Sequence, residues 1–278
     1  VSYINGYDAM IHLRKARLVK MDHSVAAVDI GNSFIKAAVL PNGLTPLDFH
    51  DVPVTTFKTE DIGNAQWLDL LGSGSVETQW FLASVNQSSL DCVVRWLDSQ
   101  TRPRKRTILN HQHIPLDLSA VDEEQVGIDR LLSTLGARGA RENLFPMIVV
   151  DIGTAVTIDA VTTEGAFLGG VIMPGIYLSS LALANYTDQL PEVEVDISNL
   201  QGLPQSIGTC TQDAIKGGLV WGLIGAIEAV VKRQQKVLGP EAHVVVDGAD
   251  SDVVLNLPCN ASSMDHLCLR GIIHVARN

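Results

Sequence analysis

One phrase occurs twice in this chain, about one domain apart. Val25 to Ser33 reads Val-Ala-Ala-Val-Asp-Ile-Gly-Asn-Ser, and Met147 to Ala155 reads Met-Ile-Val-Val-Asp-Ile-Gly-Thr-Ala. Each is an apolar run closed by Asp-Ile-Gly and a small amide or hydroxyl residue. Each is followed by a second apolar run, Phe34 to Leu40 and Val156 to Val161. Apolar stretches of this length around a glycine turn predict buried strands, and two in succession predict a hairpin. At the turn, Gly31 or Gly153 lets backbone N–H groups approach an anion closely. The carboxylate at the strand end, Asp29 or Asp151, can hold a metal that accompanies a phosphate. Two such turns facing each other would form a phosphate clamp. A turn carboxylate can also simply cap backbone N–H groups, but duplication in matching apolar contexts argues for a shared ligand role.

A chain of 278 residues has room for one large domain or two medium ones. Hydrophobic residues make up 46% and charged ones 18%, a globular balance. The formal net charge of −11 argues against non-specific binding to nucleic acid or a membrane surface, both of which need clustered Lys and Arg. A small anionic substrate stays open, because a local site can be positive inside an acidic shell. Cys92, Cys210, Cys259 and Cys268 form no CxxC, which predicts reduced thiols in a cytoplasmic protein. The longest apolar run, Gly217 to Val231, contains Glu228 and reads as too short to span a bilayer. Val1 to Lys20 has scattered charge and no apolar core of a signal peptide, and is expected to be peripheral, with the first strand starting after Met21.

Further along, Trp80 to Val85 and Thr107 to Ile114 predict strands, and Ser88 to Ser99 predicts a helix on the spacing of Leu90, Val94 and Leu97. Glu123 to Ala137 predicts a helix with Asp129 near its start. The polar stretch Arg138 to Pro146 is the expected domain change. In the second half, Ala166 to Met173 predicts a third strand, Thr211 to Val237 a long helix, and Glu241 to Asp247 a strand ending in a third Asp-Gly turn, Asp247-Gly248. Gly217, Gly218, Gly222, Gly225 and Ala226 strip bulk from that helix at about 1 kcal/mol per glycine, which asks for close approach of a partner helix, including one from another subunit. Hairpins alternating with helices in two halves imply a duplicated α/β architecture. His111-Gln-His113 puts two imidazoles on one face of the predicted strand, but no acid or thiol is fixed nearby, so a surface or core pair is the plainer reading. The four tryptophans, Trp67, Trp80, Trp96 and Trp221, read as core. No Walker A, HExxH or GxGxxG sequence is present.

Two Asp-x-Gly hairpins, one in each half, resemble the phosphate motifs of the actin-like ATPase superfamily of sugar kinases, chaperone ATPases and actin. Five stretches resemble one branch more closely, the type III pantothenate kinases. They are Asp29-Ile-Gly-Asn-Ser with Lys36, Gly127-Ile-Asp129-Arg130, Asp151-Ile-Gly-Thr-Ala-Val-Thr157, Gly169-Gly-Val-Ile-Met-Pro-Gly175, and Thr211 with Ala214, Ile215 and Gly218. The resemblance implies a duplicated, ribonuclease H-like two-domain fold with a nucleotide cleft between the domains. The divisions it suggests are an N-terminal extension over residues 1–22, an N-terminal domain over 23–142 and a C-terminal domain over 143–278. It implies ATP-dependent phosphorylation of pantothenate to 4′-phosphopantothenate, the first step of coenzyme A synthesis, in a cytoplasmic homodimer.

Residue roles follow from the same resemblance. Asp29 would orient Mg²⁺, and the stretch Asp29, Ile30, Gly31, Asn32, Ser33, Phe34, Ile35 and Lys36 would hold ATP together with Thr154. Asp151 matches the ligand of a monovalent cation, K⁺ or NH₄⁺. Asp129 matches the general base, and Gly127, Ile128, Asp129, Arg130 and Thr211 would line the pantothenate pocket. The Gly169 to Gly175 loop would pack beside the site. This fits phosphoryl transfer, in which positioning and charge stabilisation outweigh covalent steps. A carboxylate at a helix start stays ionised there and must reach the attacking hydroxyl. Lys36, Arg130 and the two cations would offset charge on the transferred group.

The chain departs from the family pattern at Ala120, where a Tyr is usual, at Ile128, where Ala is commoner, and at Asp247-Gly248-Ala249, where an adenine-side Gly-Gly is expected. Ala120 and Ile128 leave a kinase for another small alcohol open. A non-catalytic nucleotide-binding regulator on the same scaffold is the reading from a different class; it would be marked by loss of Asp29, Asp151 or Asp129, and all three are present.

Overall fold

Both repeated phrases fold as hairpins, and each hairpin founds a five-stranded sheet. The structure, a computed structural model, describes residues 24–40, 49, 52–63, 78–99, 105–140, 146–195, 202–248 and 261–277. Val1 to Lys20, Trp67 and Cys259 lie outside the described residues. The first sheet contains β1 (Val25–Ile30), β2 (Phe34–Leu40), β3 (Val54–Lys58), β4 (Gln79–Ser84) and β5 (Arg106–Ile108) in the order β3-β2-β1-β4-β5. The second contains β6 (Met147–Ile152), β7 (Ala155–Val161), β8 (Phe167–Pro174), β9 (His243–Asp247) and β10 (Ala261–Ser263) in the order β10-β9-β6-β7-β8. Read from the hairpin outward, the two orders are the same. In each, the first two strands are antiparallel and the first pairs in parallel with the fourth.

Among the described residues, five helices cover these sheets: α1 (Gln87–Ser99), α2 (Ile128–Ala140), α3 (Ile176–Tyr186), α4 (Thr211–Leu238) and α5 (Leu267–Arg277). Because side chains alternate along a strand, β1 sends Ala26, Val28 and Ile30 outward to meet Leu90, Val93, Trp96 and Leu97 of α1. Val25 and Ala27 face the other way. In the second sheet Ile148, Val150, Val244 and Val246 lie beneath Leu223, Ile227 and Val231 of α4, while Met147, Val149 and Val245 face inward. The inner faces of both sheets share one core with α2 and α5. Strands covered on both faces read as unbroken apolar runs, which is why β1 and β6 carry no alternation.

Helices α2 and α5 follow the fifth strands of their respective sheets and cross at reciprocal glycines. A Cβ on Gly136 would overlap the Leu267 carbonyl oxygen, and one on Gly271 would overlap the Leu132 carbonyl oxygen. The backbones touch directly. Leu131, Leu132 and Leu135 are fully buried around this crossing, each contributing roughly 1.5–3 kcal/mol.

Several sequence expectations are corrected. The predicted strand over Thr107 to Ile114 ends at Ile108, because the Asn110 side chain accepts from the Gln112 N–H at 3.2 Å and caps a 3-10 turn over His111–His113. The two histidines therefore share no strand face; His111 Nε2 donates to the Val126 carbonyl at 2.8 Å, and His113 turns back onto Asn110. The helix predicted from Glu123 breaks after a 3-10 turn at Glu123–Gln125 and restarts at Ile128. The strand expected over Ala166 to Met173 is present as Phe167–Pro174, so Gly169 to Pro174 is not the loop the resemblance implied; its register shifts opposite Ala160/Val161. Trp80 and Trp96 are core, but Trp221 is exposed and donates to the Pro204 carbonyl. Helix α4 is longer than its apolar run suggests: it has 28 residues, and its most apolar 18-residue stretch has a mean hydropathy of 1.6, enough to cross a membrane by length and composition. Its Val220, Leu223, Ile227 and Val231 row is instead buried in this fold. Of its glycines, Gly217 is approached by the Gln205 carbonyl, whereas Gly218, Gly222 and Gly225 face open space.

The glycine crossing yields the first prediction. Gly271→Ala should destabilise the chain by about 1–3 kcal/mol, since the added methyl meets backbone. A urea midpoint equal to that of the parent would show that α2 and α5 do not touch there.

Candidate active site

The inner-face rows all end in acid. Val25 and Ala27 lead to Asp29 at the end of β1, Met147 and Val149 to Asp151 near the end of β6, and Val245 to Asp247 at the end of β9. These are the C-terminal ends of parallel strands, where open α/β sheets collect their ligands. Asp29 is paired in register with Lys36, and Asp151 lies beside Asp247. The two hairpin turns meet: Thr154 Oγ1 of the second donates to Ser33 Oγ of the first at 2.9 Å. The facing turns foreseen from the repeated phrase are thus in contact.

Crowding sets the electrostatics. Burial raises the Asp29 carboxyl to about 6, opposed by Lys36 and reinforced by Asp129 and Asp247. Asp151 is also raised, first by burial and then by the Asp247, Asp29 and Asp129 charges. Burial would lower the Lys36 ammonium, but Asp247, Asp29 and Asp151 outweigh it and hold the group charged above its ordinary value. One lysine therefore faces several carboxylates. Among the described residues no three His, Cys, Asp or Glu side chains form a complete metal cage. A cation here would take only part of its shell from protein, as Mg²⁺ does where phosphate oxygens and water complete it.

Helix α2 brings the fourth acid. Asp129 lies in its first turn, and its Oδ1 accepts from the Arg130 N–H at 2.9 Å. Gly127 leaves room for that carboxylate to fold back, since a Cβ there would overlap Asp129 Oδ1. Burial raises Asp129, against the lowering effect of Arg130. One turn on, Ser133 Oγ donates to Asp151 Oδ2 at 3.4 Å, so the same helix face reaches the second hairpin. Ile128 is buried in the central core. The Arg130 guanidinium pairs in bidentate fashion with buried Asp159 on β7.

The other residues named from the sequence are placed as follows. Asn32 is exposed at the first turn, while the Gly31 N–H is committed to the Phe34 carbonyl at 3.0 Å. Phe34 is half-buried, and the Ile30 and Ile35 side chains point into the outer layer beneath α1. Gly175 packs on the second turn, donating to the Thr154 carbonyl. Thr211 stands exposed as the first residue of α4, with Cys210 as the N-cap residue.

Two features escaped the sequence reading. Asp247 is committed to α5: its carboxylate accepts from the backbone N–H groups of Gly248, His266 and Leu267 at 2.7, 2.9 and 2.6 Å. Gly248 has φ 114°, a conformation suited to glycine, and presses on the Ile152 carbonyl. Cys268, buried on α5, lies beside Asp29, and burial together with that carboxylate pushes its thiol up. The Asp247-Gly248 dipeptide was the only local signal of this contact.

The model of the type III pantothenate kinase family matches residues 25–233, a span that holds both turns, α2 and most of α4. The chain belongs to the type III pantothenate kinase family. A member from Rhodopirellula baltica is 34% identical over 197 residues, covering 69% of this chain and 70% of the relative. One from Nitratidesulfovibrio vulgaris is 30% identical over 246 residues, 86% of this chain and 90% of the relative. A solved structure from Campylobacter jejuni, described as a Baf family transcriptional activator, superposes with a TM-score of 0.50 at 19% identity over 90% of this chain and 95% of its own. At that identity the likeness speaks to the fold alone. The fold is the actin-like one of two mixed sheets in the same strand order.

The raised carboxylates make a pH prediction. Asp29 titrates near 6 in the free chain and must lose its proton when a cation binds beside it. Affinity for Mg²⁺–nucleotide should therefore fall as pH drops below about 6, and binding near that pH should release protons. Calorimetry in buffers of different ionisation enthalpy reads this directly; heats that ignore the buffer would refute it.

Proposed function

We propose that this chain transfers the γ-phosphoryl group of ATP to the primary hydroxyl of pantothenate, giving 4′-phosphopantothenate at the entry to coenzyme A synthesis. Membership of the kinase family supports the reaction class. The observation that carries the reading is the meeting of the two acid-tipped turns through Thr154 and Ser33, with Asp129 sharing their electrostatic field. Domain limits of 23–142 and 143–278 put one turn in each half.

In this mechanism Asp129 takes the proton from the attacking hydroxyl, whose oxygen bonds to the γ-phosphorus as the bond to ADP breaks. Burial raises its basicity toward the working pH, and the Arg130 N–H holds its carboxylate in one orientation. Lys36 and the Gly31 to Ser33 and Thr154 turns hold the phosphates. The residues present fit the two cations of the family: Asp29 would hold Mg²⁺ and Asp151 a monovalent ion, and their crowded carboxylates carry more charge than Lys36 offsets. When bound, these ions neutralise charge on the phosphate oxygens. Gly127, Ile128, Arg130 and Thr211 line the acceptor pocket. The open glycine face of α4, with exposed Trp221 on the same helix, supports a homodimer. Among the described residues Cys92, Cys210 and Cys268 are free thiols, which supports a cytoplasmic setting.

Coupled ADP release with pantothenate, measured against a panel of sugars and hydroxy acids, tests the reading. Turnover should be confined to pantothenate; turnover on sugars alone would displace it, and none on any alcohol would favour a regulator. Asp129→Asn should lower kcat by roughly 100-fold or more while nucleotide still binds, and a variant that keeps most of its rate would remove Asp129 as base. Exchanging K⁺ for Na⁺ should slow turnover; a rate indifferent to the ion would remove the cation role of Asp151.

A further inference from the structure

Asp159 is a buried acid that the mechanism above leaves unused. It sits on β7, opposite Val149 in register, two residues along from Thr157, which is opposite Asp151. By strand alternation Asp159 and Asp151 share the inner face of the second sheet. Asp159 is 1% exposed, and its two oxygens accept from Arg130 Nε, at 3.1 Å, and from Arg130 Nη2. The guanidinium also lies 5.9 Å from the Phe167 ring centroid, so it is held from two sides. The space for the carboxylate is made by Gly170 on β8, since a Cβ there would overlap Asp159 Oδ1.

A charged pair drawn into a core costs desolvation and needs well-formed geometry to be tolerated. A fork-to-carboxylate pair with an aromatic wall supplies such geometry, and it restricts Arg130 in a way a single hydrogen bond does not. Arg130 is the residue after Asp129, and its own N–H is bonded to the Asp129 carboxylate. Fixing the Arg130 side chain to β7 therefore fixes the first turn of α2, and with it the orientation of Asp129 relative to the hairpin that carries Asp151.

We propose that Asp159 is a positioning residue for phosphoryl transfer: through its bidentate pair with Arg130 it anchors the start of α2 to the second sheet and so aims Asp129 at the acceptor hydroxyl. This rests on the kinase reading given above. It makes Arg130 a tether of the base as well as a wall of the pocket. Asp159 touches neither substrate nor nucleotide, and acts only through its neighbour.

The test compares the wild type, Asp159→Asn, Arg130→Met and the double variant, each checked for folding by circular dichroism. Asp159→Asn should lower kcat roughly 10- to 100-fold, the scale of a misplaced catalytic group, with KM for ATP unchanged. If Asp159 acts through Arg130, the double variant should be no slower than Arg130→Met alone. A folded Asp159→Asn with wild-type kcat overturns the inference, as does a double variant slower than Arg130→Met. Should Asp159→Asn not fold alone, the comparison of Arg130→Met with the double variant still decides. A wild type that transfers no phosphate overturns the kinase reading and this inference with it, whereas an active wild type beside an unaffected Asp159→Asn overturns this inference alone.

Discussion

Like charges gathered at strand ends are the constraint on which the rest of this structure depends. Asp29, Asp151 and Asp247 terminate inner-face rows, and Asp129 joins them from α2. Left alone, such a group would spread apart or take up protons, and the upward shifts at Asp29, Asp151 and Asp129 register that tension. What keeps the acids together is the frame behind them. Two sheets of the same strand order are each packed on both faces, and α2 and α5 cross so tightly that no side chain fits at Gly136 or Gly271. Apolar burial and backbone contact outweigh the repulsion at the tip.

The C-terminal helix has a larger part in this than its place in the chain implies. Asp247 grips its first N–H groups, Cys268 on its first turn reaches Asp29, and its glycine meets α2. One carboxylate of the second sheet is therefore joined through α5 to the carboxylate of the first. The helix opens near the acids with its N-terminus, whose dipole favours negative charge. Arg270 on the same helix stacks over the Phe49 ring at 5.0 Å from its centroid.

Much of the fold was legible because the signals were local. β1, β2, β6 and β7 are apolar runs around Asp-x-Gly, and α1 and α4 carry helical spacing over several turns. The failures were also local in cause. Asn110 redirected its own side chain to cap a turn and ended β5 after three residues, and Gly127 postponed α2 until Ile128. β3, α3 and α5 went unread: α3 has no amphipathic stripe to mark it, whereas α5 carries a clear one that was overlooked. At the site, the acids of the turns and of α2 were readable from their positions beside glycine. The Arg130–Asp159 and Asp247–His266 links were not, because they join residues 29 and 19 positions apart. Asp159 left one trace, an acid within the apolar run Val156 to Val161.

A cleft that gathers four carboxylates is an unlikely home for a triphosphate if charges are merely counted, and the resolution lies in coupling. Lys36 is the one cation among these strand ends within the described residues that answers Asp29, Asp151 and Asp247 together. It cannot offset three acids and a polyphosphate at once. Binding of the anion must therefore bring positive charge with it, and the same carboxylates that repel bare phosphate attract its counter-ions. Acid clustering then acts as a selective device. On the proposed reading it would disfavour free anions and admit a metal-paired nucleotide, with relief of the carboxylate repulsion adding to that affinity.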